Sequence, residues 1–169
     1  MSEKLDYFVP FLLYRVMARG LRQATSDYGS LGLGVPEARV LIVLAQHRGR
    51  IRAGSLAEIT CIEASALSHL LRGLSRRGLV TRERLASDNR SVEVALTPKG
   101  WRVARVCVRK SHGHERVLLR RLSAEQQKFL RAMLHRMYDN AAAWAGNGDT
   151  LALAPRRAAA KARKARRAN

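Results

Sequence analysis

Between residues 63 and 100 the apolar side chains change their spacing twice, and this limits the folds open to the 169-residue chain. In "EASALSHLLRGLSRR" (63–77), Leu67, Leu70, Leu71 and Leu74 recur at i, i+3, i+4 and i+7, the stripe of an amphipathic helix. Gly78 stops that helix. Val92, Val94 and Leu96 then alternate with Ser91, Glu93 and Ala95, the period of a half-buried strand, and residues 80–85 supply its partner. Asp88-Asn89 has turn chemistry, because both side chains bond nearby backbone and tolerate left-handed conformations. Thr97-Pro98 caps and starts a further helix, expected to run to about residue 122.

The rest of the chain reads as helices. Residues 5–28 predict an opening helix that begins near Pro10, with Phe8, Leu12, Leu13, Val16, Met17 and Leu21 giving it a wide apolar surface. "GSLGLG" (29–34) is a loop. A second helix starts at Pro36-Glu37, buries Val40, Leu41, Val43 and Leu44, and ends near residues 47–49. Residues 50–52 read as a short strand. "SLAE" (55–58) has the spacing of a capping box, in which hydroxyl and carboxylate satisfy each other's orphan amides. A turn at Cys61-Ile62 follows, with Cys61 expected to be a small buried residue. "SAEQ" (123–126) is a second capping box. It opens a last helix that carries Phe129, Leu130, Met133, Leu134, Met137, Tyr138 and Ala141. The fold class is therefore mainly α with a small β-wing. A short helix, a tight turn, a second helix and a hairpin make a winged helix-turn-helix.

Charge bears on partners. With 32 Lys+Arg against 13 Asp+Glu the net charge is +19, which fits either a solvated basic face or a polyanion, nucleic acid or anionic membrane. No apolar run approaches the roughly 18–20 residues that span a bilayer. Glu3, Lys4 and Asp6 precede only a short amphipathic stretch, so no cleavable signal is read and a cytoplasmic protein, nucleoid-associated when DNA-bound, is expected. The tail from Pro155, "PRRAAAKARKARRAN", holds seven Lys or Arg and no acid, which leaves +12 on residues 1–154. Such Ala/Lys/Arg sequence is expected to be disordered in isolation, as a phosphate-binding or merely solubilising segment. Two cysteines, Cys61 and Cys107, give no disulfide framework. No nucleophile–base pair, phosphate-cradling glycine loop or convergent carboxylate pair suggests an enzyme.

On the 63–77 helix, Ser65, Ser68, His69, Arg72 and Arg76 fall opposite the leucines, with no acid among them. Taken alone, this fits either a solvated surface or a helix that reads DNA. "SLAEITCIEASALSHLLRGLSRRGLVTR" followed by "DNRSVEVALTPKG" resembles the MarR family of bacterial winged-helix transcription regulators, and "VPEARVLIVLAQHRG" resembles its second helix. The likeness covers about residues 5–142. It implies that Ser65, Ala66, Ser68, His69 and Arg72 face the major groove, with Arg90 at the wing tip in the minor groove and Asp88 as its brace. Arg76, Arg82 and Arg84 complete the candidate DNA-binding set. Cys61 stands where the family turn commonly has Gly, which predicts a slightly different turn. His69 stands where Arg is common.

The resemblance also implies an obligate homodimer, and the apolar excess of the first and last helices agrees with it. The expected organisation is a helical dimerisation region (1–34 and 101–145), a winged helix-turn-helix DNA-binding domain (35–100) and a basic tail (146–169). A two-fold dimer spaces its reading helices by about 34 Å and so predicts a palindromic operator on double-stranded DNA. MarR-like repressors often release DNA when a small aromatic acid or phenol binds between the dimerisation helices and the winged domain. Tyr14, Arg15, Glu37, Arg39, His112 and His114 are the candidates here, and ion pairing within the fold is their other reading. In "SHGHE" (111–115) the two histidines lie on different sides of a helix, so neither metal nor other cofactor is expected. The competing function is an architectural, nucleoid-type DNA binder with little sequence preference.

Overall fold

The computed structural model describes residues 7–85 and 88–146, without the side chains of 85–91 and 145–146. Within them the order is α1 (Val9–Gly29), α2 (Val35–Gln46), β1 (Arg50–Arg52), α3 (Ala53–Thr60), α4 (Ala64–Arg76), β2 (Val80–Leu85), β3 (Asp88–Leu96), α5 (Pro98–Leu118) and α6 (Ala124–Gly146). This is the mainly helical architecture with a small wing that the sequence predicts. The strands form one antiparallel sheet in the order β1-β3-β2, with Ile51 opposite Val94 on one side of β3 and Val80 opposite Leu96 on the other.

The core lies around α2. Val40, Leu41 and Leu44 are fully buried, and they share one cluster with Leu56 of α3, Leu67, Leu71 and Leu74 of α4, Val94 of β3, and Ala104 and Cys107 of α5. Each buried leucine contributes about 1.5–3 kcal/mol relative to exposure. The α4 stripe is thus the one the spacing predicts, except that Leu70 is only half-buried.

Four local expectations are corrected. First, α3 begins at Ala53, with Arg52 as its extended N-cap and no side-chain cap bond, so Ser55 and Glu58 form no capping box. The reason is tertiary: β1 pairs with β3 up to Arg52, and this pairing carries extended backbone to the helix start. Second, Asp88 and Asn89 belong to β3 rather than to a turn. The β2–β3 register shifts between Arg84, opposite Val92, and Leu85, opposite Asp88, and this irregular pairing extends the strand. Third, α5 ends at Leu118, earlier than expected. Fourth, Cys61 is exposed, not buried. Its φ of 51° and ψ of 39° put it in the left-handed region, a conformation that glycine more commonly supplies.

The described residues from Arg121 to Gly146 belong to a separate compact unit. There the capping box is present: the Gln126 amide donates to Ser123 Oγ at 3.2 Å, and the Ser123 amide donates to Gln126 Oε1 at 2.8 Å. Along α6, Phe129, Leu130, Leu134, Met137, Tyr138 and Trp144 are exposed in the single chain. Among the described residues no helix is long and apolar enough to cross a membrane.

Candidate nucleic-acid interface

Three polar ties hold α3 and α4 on their supports. Arg39 of α2 donates from Nη1 to the Thr60 carbonyl at 3.2 Å, at the end of α3. Arg77, the C-cap of α4, pairs through Nη1 with Glu37 Oε1 at 3.3 Å, while Glu37 Oε2 accepts from the Gly34 amide at 2.8 Å and so caps α2 as well. Lys99 Nζ donates to the Arg77 carbonyl at 2.9 Å, satisfying a terminal acceptor of α4. Gly78 follows in the left-handed conformation (φ 67°), and the Leu79 amide donates back to Leu74 at 2.9 Å, which closes the helix. With one face fixed in this way, α4 has a single orientation available for its other face.

That other face is the candidate reading surface. Ser65, Ala66, His69, Arg72 and Arg76 are exposed, and Ser68 is half-buried. From residue 64 to residue 77 the chain contains no carboxylate, so nothing on the helix repels phosphate or competes for its arginines. Ala66, His69 and Arg76 also line a groove of about 650 Å³ with Pro36, Glu37 and Cys61. On β2, Arg82 and Arg84 are exposed. The backbone of Asp88 and Arg90 lies in β3, while their side chains fall outside the described residues, as does the basic tail from residue 147.

The six effector candidates do not converge. Tyr14 is 68% exposed on α1. Arg15 is exposed too, and its guanidinium lies 5.8 Å from the centre of the Phe11 ring. Glu37 and Arg39 are engaged in the ties above. His112 faces Glu115 at 3.8 Å. Only His114 lines a cleft of about 720 Å³ between α1 and α5, whose other walls are Gln23, Asp27, Lys110, Gly113, Arg116, Val117 and Arg120. Its Nε2 meets Asp27 Oδ2 at 2.6 Å, Lys110 Nζ stands 3.7 Å from Asp27 Oδ1, and the Tyr28 ring packs edge-on against the imidazole at 5.8 Å. Sequence spacing marks neither Asp27 nor Lys110 as part of a site. Their signal is weak: Gln23 and Asp27 share a face of α1, as Lys110, His114 and Val117 share one of α5.

The His114 hydrogen bond, then the Gln23 bond, hold the Asp27 carboxyl below its ordinary pKa. A depressed folded-state pKa stabilises the fold at pH values above the unfolded value, and the contribution is lost as pH falls through the folded value. Asp27→Asn is accordingly expected to lower the thermal midpoint near neutrality. In strong acid, well below the ordinary carboxylate value of about 3.9, the two proteins should melt together. Thermal unfolding followed by circular dichroism across that range checks this; a midpoint difference that persists in strong acid would contradict it.

Burial pushes the Cys107 thiol above its ordinary range, which keeps it protonated. Both cysteines are free. Among the described residues no group of three or more His, Cys, Asp or Glu side chains could hold a metal ion.

Comparison with known proteins agrees with this geometry. A family model described as the MarR family matches residues 33–92, which span α2, the helix-turn-helix and most of the hairpin. The HTH-type transcriptional repressor Rv2887 of Mycobacterium tuberculosis is 31% identical over 127 residues, covering 75% of this chain and 91% of the relative. The crystal structure of a MarR family transcriptional regulator from Silicibacter pomeroyi superposes with a TM-score of 0.74 at 28% identity, covering 83% of this chain and 94% of that one. BpsR of Bordetella bronchiseptica, a protein whose DNA binding is regulated by 6-hydroxynicotinic acid, shares the fold with a TM-score of 0.68 at 21% identity, over 77% and 98% of the two chains. The acid-free helix on its braced supports thus lies within a region matched by a near-full-length relative and by a solved regulator, and the chain belongs to the MarR family of DNA-binding transcriptional regulators, not to a family of enzymes.

Proposed function

We propose that the protein is a homodimeric repressor that binds a palindromic operator and is released by a small aromatic acid or phenol. The exposed, acid-free face of α4 carries this reading. Ser65, Ala66, Ser68, His69, Arg72 and Arg76 enter the major groove, and Arg82, Arg84 and Arg90 follow the backbone and minor groove along the wing, with Asp88 orienting Arg90. Residues 35–100 form the DNA-binding domain, while the helical region 1–34 and 101–145 supplies the dimer contacts through its apolar faces. The exposed Leu12, Val16 and Leu21 of α1, and Leu130, Leu134 and Met137 of α6, support the latter, since two such apolar faces favour burial against a second copy.

The α1–α5 cleft suits the effector better than the remaining candidates do. Lys110, Arg116 and Arg120 offer cations to a carboxylate, and Gln23 and His114 offer partners to a ring hydroxyl or nitrogen. That DNA binding by BpsR responds to 6-hydroxynicotinic acid supports a ligand of this class.

The test is titration of operator-length duplexes drawn from genomic fragments, read by fluorescence anisotropy, with sedimentation giving stoichiometry. A dimer on a palindrome should bind about 10³-fold or more tightly than on scrambled DNA and dissociate with an aromatic acid. Equal binding to scrambled DNA would favour the architectural reading, and monomers on half-sites would sink the dimer. In the same assay Arg90→Ala should cost about 1–3 kcal/mol of affinity with folding and dimerisation unchanged.

A further inference from the structure

The outer face of α5 bears a line of cations that operator reading does not use. Arg102, Arg105 and Arg109 recur at spacings of three and four residues. That spacing sets them in a row along the helix. Arg102 and Arg109 lie on the side away from Gly100, Ala104 and Cys107, which are buried. At 1.5 Å per residue, the row is about 10 Å long.

The acids of this region serve other groups. Asp27 faces Lys110 and His114 on the inner side, and Glu115 faces His112 beyond the row. Among the described residues no carboxylate pairs with Arg102, Arg105 or Arg109. Like charges at these spacings destabilise a helix, so the fold carries an electrostatic cost that a polyanion would remove. The cations of the row are arginines rather than lysines, and guanidinium groups grip phosphate in bidentate fashion. The Arg105 guanidinium also lies 5.9 Å from the centre of the Trp101 ring, a contact that restrains it along the helix.

Position separates this row from the reading face. Arg105 and Arg109 line a notch of about 350 Å³ with Ala45, Gln46 and Val108, at the C-terminal end of α2. The groove beside α4 begins at Pro36 and Glu37, at the N-terminal end of the same helix. About 13 Å of α2 lies between them.

We infer that the arginine row of α5 is a second, sequence-independent phosphate-binding surface, occupied by the backbone of a DNA segment other than the one α4 reads. A duplex presents roughly six phosphates over about 10 Å, ample for the three arginines. A protein with both surfaces holds two stretches of DNA together. This goes beyond operator recognition and needs neither the palindrome nor the effector.

The test is co-capture by the full-length chain. A random-sequence duplex is fixed on beads, the protein is bound to it, and a fluorescent random-sequence duplex is then added. The parent protein should retain the second duplex. The triple variant Arg102→Gln, Arg105→Gln, Arg109→Gln should stay on the bead duplex within about threefold but capture the second duplex about tenfold less well. Its capture should also lose about 2.7 from the salt slope, about 0.9 for each of the three arginines. Thermal unfolding verifies that the variant folds, and the single variants Arg102→Gln and Arg109→Gln give graded losses if it does not. No capture by the parent, unchanged capture by the variants, or a proportional loss of both bindings would overturn the inference.

Discussion

Gly100→Ala is expected to destabilise the fold by about 3 kcal/mol, because overpacking against backbone cannot be relieved by a side-chain rotation. A Cβ at Gly100 would lie 1.9 Å from the Leu79 carbonyl oxygen and 2.9 Å from its carbon, with Leu96 Cδ2 at 3.3 Å. The same carbonyl accepts from the Thr97 amide at 3.1 Å, so moving it away breaks the start of α5. At roughly 2–4 °C per kcal/mol for a chain of this size, the thermal midpoint should fall by about 10 °C in calorimetry. Gly73→Ala is the matching control of opposite sign. It sits inside α4 with nothing within 4 Å of the position an alanine methyl would take, and alanine there should gain up to about 1 kcal/mol of helix propensity. Equal midpoints for Gly100→Ala and the parent would show that the α5 start is not locked against Leu79.

The second large effect is on DNA affinity. Arg72→Ala should weaken operator binding by about 1–3 kcal/mol, or some 5- to 150-fold, with the thermal midpoint unchanged. Arg72 is exposed at the centre of the α4 face and makes no ion pair among the described residues, so its removal leaves nothing unsatisfied. The salt dependence separates two roles. An arginine that grips phosphate contributes about 0.9 to the slope, and removing it weakens all sequences alike. An arginine that bonds a base edge sets preference at one position, and removing it relaxes that preference. Arg77→Ala is the contrast, since that arginine is spent on Glu37 and its loss should appear mainly as instability.

Much of the fold is legible because it is written in local periods. The leucines of α4, the alternation in β3 and the Thr97-Pro98 start of α5 each need only neighbours in sequence. The parts that spacing misses depend on distant residues. Ser55 has the chemistry of a cap, but the pairing of Arg52 with Glu93 sets where α3 begins. Cys61 departs from glycine by residue type and yet adopts the glycine conformation, because the turn between α3 and α4 dictates its backbone.

The candidate site divides along the same line. The α4 face follows from one helix, so spacing is enough to name Ser65, Ser68, His69, Arg72 and Arg76, while Ala66 comes only from the family resemblance. The α1–α5 cleft joins Asp27 to His114 across 87 positions, and nothing in either helix alone marks them as partners. Glu37 and Arg39 show the converse: their chemistry suits a ligand, but the fold uses it to brace α3 and α4.

The junction at Thr97 has a mechanical consequence. Its hydroxyl donates to the Gly78 carbonyl at 2.7 Å and accepts from the Gly100 amide at 2.9 Å, while Lys99 reaches the Arg77 carbonyl at the end of α4. The end of one helix and the beginning of the other are thereby riveted. A tilt imposed anywhere along the roughly 31 Å of α5 is delivered to α4 without a slack hinge between them. In the dimer proposed above, the winged unit is then the short arm of a lever, and the spacing of two such arms, rather than the shape of either, is the quantity that the proposed effector would change.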